Sequence, residues 1–134
     1  MEFKKEFTAG IIIIGNEILS GRTVDKNTSF IATWLNDRGI SVEETRVIPD
    51  KEKIIIDTVS ELKRKFAYIF TTGGIGPTHD DITAESISKV FGQKYQYHPE
   101  AYKILAKFYK NQDFNDGRKK MAKMPEHAKL IPNP

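Results

Sequence analysis

The stretch Thr71-Thr72-Gly73-Gly74-Ile75-Gly76-Pro77-Thr78-His79-Asp80-Asp81-Ile82-Thr83 decides how the chain is read. The apolar run Ala67-Tyr68-Ile69-Phe70 ahead of it has the length and composition of a buried strand. Behind it, Thr83 is placed to cap a helix through Ala84, Ile87, Val90 and Phe91, closed by Gly92. The order is strand, glycine-rich turn, helix. Glycines permit positive φ and close approach of another molecule to the backbone. Free N–H groups in such a turn, beside a helix N-terminus, suit a phosphate. The adjacent carboxylates of Asp80 and Asp81 would repel that phosphate unless a cation lay between, which points to phosphate plus a hard divalent metal of the Mg²⁺ type. A tight turn carrying a solvated Asp pair is the other reading of the same residues, because short glycine motifs recur by chance.

The 134 residues suffice for one core and one domain. With 39% hydrophobic and 29% charged residues the composition is that of an ordinary globular chain. The absence of cysteine excludes disulfides and thiolate metal sites, and fits a cytoplasmic location. The apolar run Ile11 to Ile14, like every other in the chain, is far too short to span a membrane, and Met1 to Glu6 lacks the apolar core of a signal peptide. The net charge of +3 is concentrated late: residues 98–134 hold eight Lys or Arg against four Asp or Glu. Arg118-Lys119-Lys120 and Lys123 read as a solvated helix face rather than a nucleic-acid surface, which needs a denser basic patch.

Along the chain, Phe7–Ile14 reads as a first strand, whose unbroken isoleucines suggest burial on both faces as in a parallel sheet. Phe30, Ile31, Trp34 and Leu35 form one apolar helical stripe with Trp34 in the core, ended at Gly39. Ile40–Ile48 reads as a second strand, and Asp50 as the cap of a helix with Ile54, Ile55, Val59, Leu62 and Phe66 inward. His98-Pro99 opens a helix with Tyr102, Leu105, Phe108 and Tyr109 on one face. A short basic helix follows, and Lys129–Pro132 looks like the start of a strand. This alternation predicts an α/β fold, three layers α/β/α around a mainly parallel sheet.

Ligands of open parallel sheets bind at the carboxyl ends of the strands. Gly15, Glu17, Gly21 and Asp25 follow the first strand, Asp50 the second, and Gly73, Gly74, Gly76, Asp80 and Asp81 the third. Five of the nine glycines fall in two of these loops, which predicts a backbone-lined pocket with the two loops as neighbours. Capping alone would explain Asp50. Glu17, Asp25 and Asn27 could order their loop by bonding backbone N–H groups. His79 reads as a solvent-facing loop histidine. No Ser-His-Asp order and no Walker A sequence is present, so acyl transfer and P-loop chemistry have no support.

Four blocks carry a family resemblance: the glycine turn, Gly15-Asn16-Glu17-Ile18-Leu19, Gly21-Arg22-Thr23-Val24-Asp25-Lys26-Asn27 and Val47-Ile48-Pro49-Asp50. Together they resemble the molybdopterin-binding domain of molybdenum-cofactor biosynthesis proteins, from Thr8 to the last residue. With Ile75, His79 and the Asp80-Asp81 pair, the chain is most similar to the N-terminal domain of competence/damage-inducible protein A and to the corresponding domain of FAD synthases. The family's common form has Thr at position 75 and Arg at position 80. The resemblance implies catalytic roles for Asp50 and Asp81. It implies a phosphate or nucleotide site built from Gly15, Glu17, Gly21, Asp25, Asn27, Gly73, Gly74, Gly76, Pro77, Thr78 and Thr83. Asp80 in place of Arg weighs against pterin phosphate binding there and favours a metal held by Asp80 and Asp81.

The function it implies is metal-dependent hydrolysis of a dinucleotide-like diphosphate such as ADP-ribose or FAD. Two alternatives stand beside it: molybdopterin binding or adenylylation in cofactor assembly, and a non-catalytic nucleotide-binding or oligomerisation module. The expected partners are a small nucleotide or pterin ligand and further copies of the chain, in a dimer or trimer, with neither nucleic acid nor membrane. The resemblance also implies a further strand and helix following Pro132-Asn133-Pro134. Nothing in the chain resembles the deamidase domain that competence/damage-inducible proteins often carry.

Overall fold

The computed structural model describes residues 6–134; the signal-peptide expectation rests mostly on residues outside that range. Strand β1 (Thr8–Ile14) is the centre of a three-stranded sheet of order β2-β1-β3, with β2 at Ser41–Ile48 and β3 at Tyr68–Thr72. Both pairings are parallel: Ile14 stands opposite Ile48 on one side of β1, and Ile13 opposite Thr72 on the other. The predicted parallel sheet is therefore present. The isoleucine run behaves as its composition demands, with Ile11, Ile12, Ile13 and Ile14 all at most 4% exposed. Successive strand side chains point to opposite faces, so β1 is covered on both.

On one face, Ile12, Ile14 and Ile48 form a core with Ile55, Val59 and Leu62 of helix α3 (Glu52–Lys65), joined by Val90 of helix α4 (Thr83–Val90). Helix α2 (Asn27–Asn36) follows the short helix α1 (Asn16–Leu19) and lies against β2. The expected apolar stripe of α2 is only partly a core stripe. Leu35 is buried, whereas Phe30 is 72% and Trp34 47% exposed. The Arg38 guanidinium sits 3.7 Å from the Trp34 ring centroid, a cation–π contact at the surface.

The last third of the chain makes a separate two-stranded antiparallel sheet of β4 (Tyr95–Tyr97) and β5 (Lys123–Pro125). Helices α5 (Pro99–Phe108) and α6 (Asp116–Lys120) lie between these strands in sequence. Pro99 is the first residue of α5, as expected, and His98 Nδ1 accepts the Ala101 N–H at 3.3 Å. The strand expected at Lys129–Pro132 is absent; the chain pairs earlier, through Lys123–Pro125, because Tyr95–Tyr97 offers its edge there.

Candidate functional site

Chain order reverses at β1: the next strand lies to one side of it and the third to the other. The crevice of such a sheet opens at the carboxyl ends of the two strands that flank the reversal, β1 and β3. The residues that follow those strands are in contact. Gly73 adopts φ +88°, and a Cβ built on it would stand 2.0 Å from the Ile14 carbonyl oxygen. Gly74 adopts φ +66°, and its Cβ would stand 2.2 Å from Thr83 Oγ1. The two loops are neighbours, as the glycine distribution predicts.

Thr83 does not cap α4; Ile82 holds the cap position and Thr83 is the first helical residue. Its hydroxyl donates to the Gly73 carbonyl at 2.9 Å and its N–H to the Gly74 carbonyl at 3.1 Å. A side chain only 2% exposed thus staples the glycine turn to the helix start.

Asp50 does not cap α3 either; Lys51 holds that position without a side-chain cap bond. Asp50 Oδ2 accepts the Asn16 N–H at 3.1 Å, and Asn16 Oδ1 accepts the Asp50 N–H at 3.3 Å. This reciprocal pair locks the loop after β2 to the loop after β1. It leaves Asp50 Oδ1 facing the glycine turn, 3.4 Å from the place a Cβ on Gly74 would take.

Asp81 closes the turn on itself. Its Oδ2 accepts the Thr78 N–H at 2.9 Å and the Thr78 hydroxyl at 2.8 Å. Partial burial pushes this carboxyl up, but the bonds from the Thr78 hydroxyl and from the Thr78 and Gly76 N–H groups, with the Lys120 ammonium near by, hold it below the usual carboxylate range. A Cβ on Gly76 would stand 2.8 Å from the same oxygen. Asp80 points outward, its side chain 76% exposed, with His79 Nε2 at 3.2 Å from its Oδ1. His79 is 92% exposed, the solvent-facing loop histidine expected.

These groups do not make one pocket. A polar cavity of about 260 Å³ is lined by Asn16, Glu17, Arg22, Asp50, Gly74, Thr78, Asp80 and Asp81. A second cavity, of about 240 Å³, lies behind Gly73 and holds Asp25 and Asn27, with Glu17 shared between the two. Asp25 is occupied locally: its carboxylate accepts the N–H groups of Asn27 at 2.9 Å and Thr28 at 3.4 Å, and a short bond from the Thr28 hydroxyl. It orders the entry to α2. Gly21 has φ +78° with open space around it, so the turn itself calls for glycine there.

A third cleft, of about 180 Å³, lies on the far side of Gly74 and Asp81, beneath the β4–β5 ribbon, with Ile75, Tyr95, Met121 and Met124 in its walls. Among the described residues no three His, Cys, Asp or Glu side chains are close enough to hold a metal ion by themselves. Arg22 and Lys120 were not singled out from the sequence. Arg22 lies inside a quoted block and could have been; Lys120 could not, since it reaches the turn from 42 residues away.

A mainly parallel α/β domain with an acid- and glycine-lined crevice at its switch point is a small-molecule binding fold of the nucleotide- or cofactor-handling class. The chain belongs to the probable molybdopterin binding domain family, whose model matches residues 10–129. It is similar to a solved structure of CinA, of unknown function, from Thermoplasma acidophilum: TM-score 0.90 and 35% identity, over 97% of this chain and 77% of that one. It is also similar to the tungsten cofactor synthesizing protein MoaB of Pyrococcus furiosus, with TM-score 0.58 and 27% identity over 80% of this chain and 65% of that one. A protein of Alkaliphilus metalliredigens described as competence-damage inducible is 38% identical over 94% of this chain and 31% of its own length. The chain spans about half the length of other curated relatives it matches, 48% of one from Aeropyrum pernix and 49% of one from Pyrobaculum calidifontis. Among the described residues no helix is long and apolar enough to cross a membrane.

Proposed function

We propose that the chain hydrolyses the diphosphate linkage of a dinucleotide-like substrate such as ADP-ribose or FAD. The observation that carries this reading is the convergence of Asp50 Oδ1 on the glycine turn, in a polar cavity that also holds Arg22, Asp80 and Asp81. The diphosphate lies along Gly74 and Thr78. Asp50, held by Asn16, orients a water and takes its proton as the new O–P bond forms. The bridging P–O bond breaks, giving two monophosphates.

The residues present fit a divalent ion only as a passenger of the substrate. One or two carboxylates, Asp80 and Asp81, would hold it alongside diphosphate oxygens. Such an ion supplies charge neutralisation when bound. Incubating the chain with ADP-ribose, FAD and ATP, with Mg²⁺ and with chelator, tests the reading. The expected result is metal-dependent release of AMP from ADP-ribose or FAD, with Asp50→Asn lowering turnover at least ~100-fold, the scale of losing a positioned general base. No turnover of any of the three overturns it.

Molybdopterin binding or adenylylation is the second reading, favoured by the family and by the cleft walled by Tyr95, Met121 and Met124, which suits a flat ring. Tight binding of a pterin phosphate without hydrolysis of any nucleotide would select it. Nucleotide binding with neither activity would leave a non-catalytic module. The chain is further inferred to self-associate through the exposed side of α5, where Ile104 is 59% and Phe108 71% exposed.

A further inference from the structure

Arg118, Lys119 and Lys120 of α6 and Lys123 of β5 read from the sequence as one solvated face, yet they differ. The Arg118 guanidinium stacks 4.5 Å from the Tyr109 ring and donates to the Asp113 carbonyl at 2.6 Å. Lys119 lies over Phe114 at 5.7 Å, and Lys123 over Tyr97 at 5.0 Å. Lys120 turns the other way. Its Nζ donates to the Thr78 carbonyl at 2.6 Å, inside the glycine turn.

That reach is built into the fold. A Cβ on Gly117 would stand 2.7 Å from the Pro77 carbonyl oxygen, so α6 lies against the turn at a distance only glycine permits. Asn115 fixes the start of the helix by accepting the Arg118 N–H at 2.9 Å. The ammonium stands where the cleft beneath the β4–β5 ribbon meets the turn, with Gly74, Gly76 and Asp81 around the same opening. An ammonium carries three donors. The Thr78 carbonyl takes one, which leaves two for a ligand.

We propose that Lys120 is the phosphate-contacting cation of this site. It reaches a phosphate that sits on the glycine turn, while the flat ring of the same ligand enters the cleft walled by Tyr95, Met121 and Met124. The ligand class is a phosphate or diphosphate ester of a heteroaromatic nucleoside or pterin. The inference rests on the reading of the turn as a phosphate site, but not on hydrolysis. It also alters the charge count. Four carboxylates, Glu17, Asp50, Asp80 and Asp81, line the polar cavity, and Arg22 together with Lys120 at its edge offsets two of them, so binding proceeds without a metal even if turnover needs one.

The test uses the full chain, in chelator, with ADP-ribose and inorganic pyrophosphate as separate titrants in calorimetry. Lys120→Gln keeps an N–H donor for the Thr78 carbonyl and removes the charge; Lys120→Arg keeps the charge; Lys119→Met is the neighbouring control. Thermal melts establish that each variant is folded. The expected result is at least ~10-fold weaker ADP-ribose binding for Lys120→Gln, the scale of one charge-assisted hydrogen bond, with near-wild-type binding for Lys120→Arg and Lys119→Met. If wild type binds pyrophosphate through Lys120 but no nucleotide, the phosphate contact stands and the nucleotide reading falls. If folded Lys120→Gln binds ADP-ribose as wild type does, the role of Lys120 is wrong and the nucleotide reading survives. If wild type binds neither titrant in chelator, the proposal is overturned, and metal-dependent turnover decides the other reading separately.

Discussion

Gly73 and Gly92 share a left-handed backbone but differ in what surrounds it. Gly92 has φ +62° and nothing within 4 Å of a built Cβ, so Gly92→Ala should cost about 1 kcal/mol, the strain of a left-handed non-glycine residue. Gly73→Ala adds a clash with the Ile14 carbonyl, which is backbone in the central strand and cannot step aside. It should cost at least about 2 kcal/mol more. Urea unfolding of the two variants separates them; equal costs would mean that the contact between the two loops is not a tight one. Thr78 offers a second residue-level test. Its hydroxyl and N–H hold Asp81 ionised, so the folded pKa lies below the unfolded one. The associated stability is present above the ordinary carboxylate range and is lost as pH falls through the folded value. Thr78→Val removes one of those donors, and the Asp81 titration followed by carboxyl NMR should move upward. An unchanged midpoint would assign the depression to the backbone N–H groups instead. Read from the sequence, Asp50 is a helix cap, whereas the structure holds it through Asn16. A cap bond is a local pattern, whereas the Asn16 pairing spans 34 residues.

At the scale of elements, strand β1 and helix α3 were legible because their apolar spacing matches their burial, whereas β3 buries no residue fully, α4 buries Thr83, Ser86 and Ser88, and α5 buries none. Helix α3 is the clearest case, with Ile55, Val59 and Leu62 recurring on the side that meets β1. Leu62, fully buried, should cost about 2–5 kcal/mol when cut to Ala, measured by urea midpoint; a loss under 1 kcal/mol would place Leu62 outside the core. Helix α2 shows the limit of spacing. Its stripe is as regular, but the sheet edge it lies on accommodates Leu35 while Phe30 and Trp34 stay outside. Strand β5 and the orientation of α6 were illegible for a related reason. A three-residue strand is defined by its partner, and a lysine in a basic run gives no sign of which carbonyl it will meet.

At the scale of the molecule, the α/β class and the switch-point crevice were readable, because parallel order and loop position fix where a crevice can open. Its division into separate cavities was not, since that follows from how three loops and a distant helix pack together. Assembly is the remaining property at this scale, and two exposed apolar faces compete for it. The α2 face carries Phe30 and Trp34, but Arg38 already covers the Trp34 ring and donates to its carbonyl at 3.0 Å. The α5 face carries Ile104 and Phe108, 59% and 71% exposed; the Phe108 ring meets the Tyr109 ring edge-on at 4.9 Å and otherwise faces solvent. The less satisfied surface is that of α5. Burying two such side chains contributes about 1.5–3 kcal/mol each, doubled in a two-fold contact where each copy presents the same patch. Light scattering at micromolar protein should therefore give a multiple of the single-chain mass. Phe108→Glu should return it to one chain with the melting temperature of the monomer unchanged, because that side chain supports no core. Phe30→Glu should leave the assembly intact. A single-chain mass for wild type, or dissociation by Phe30→Glu and not by Phe108→Glu, would rule out α5 as the contact.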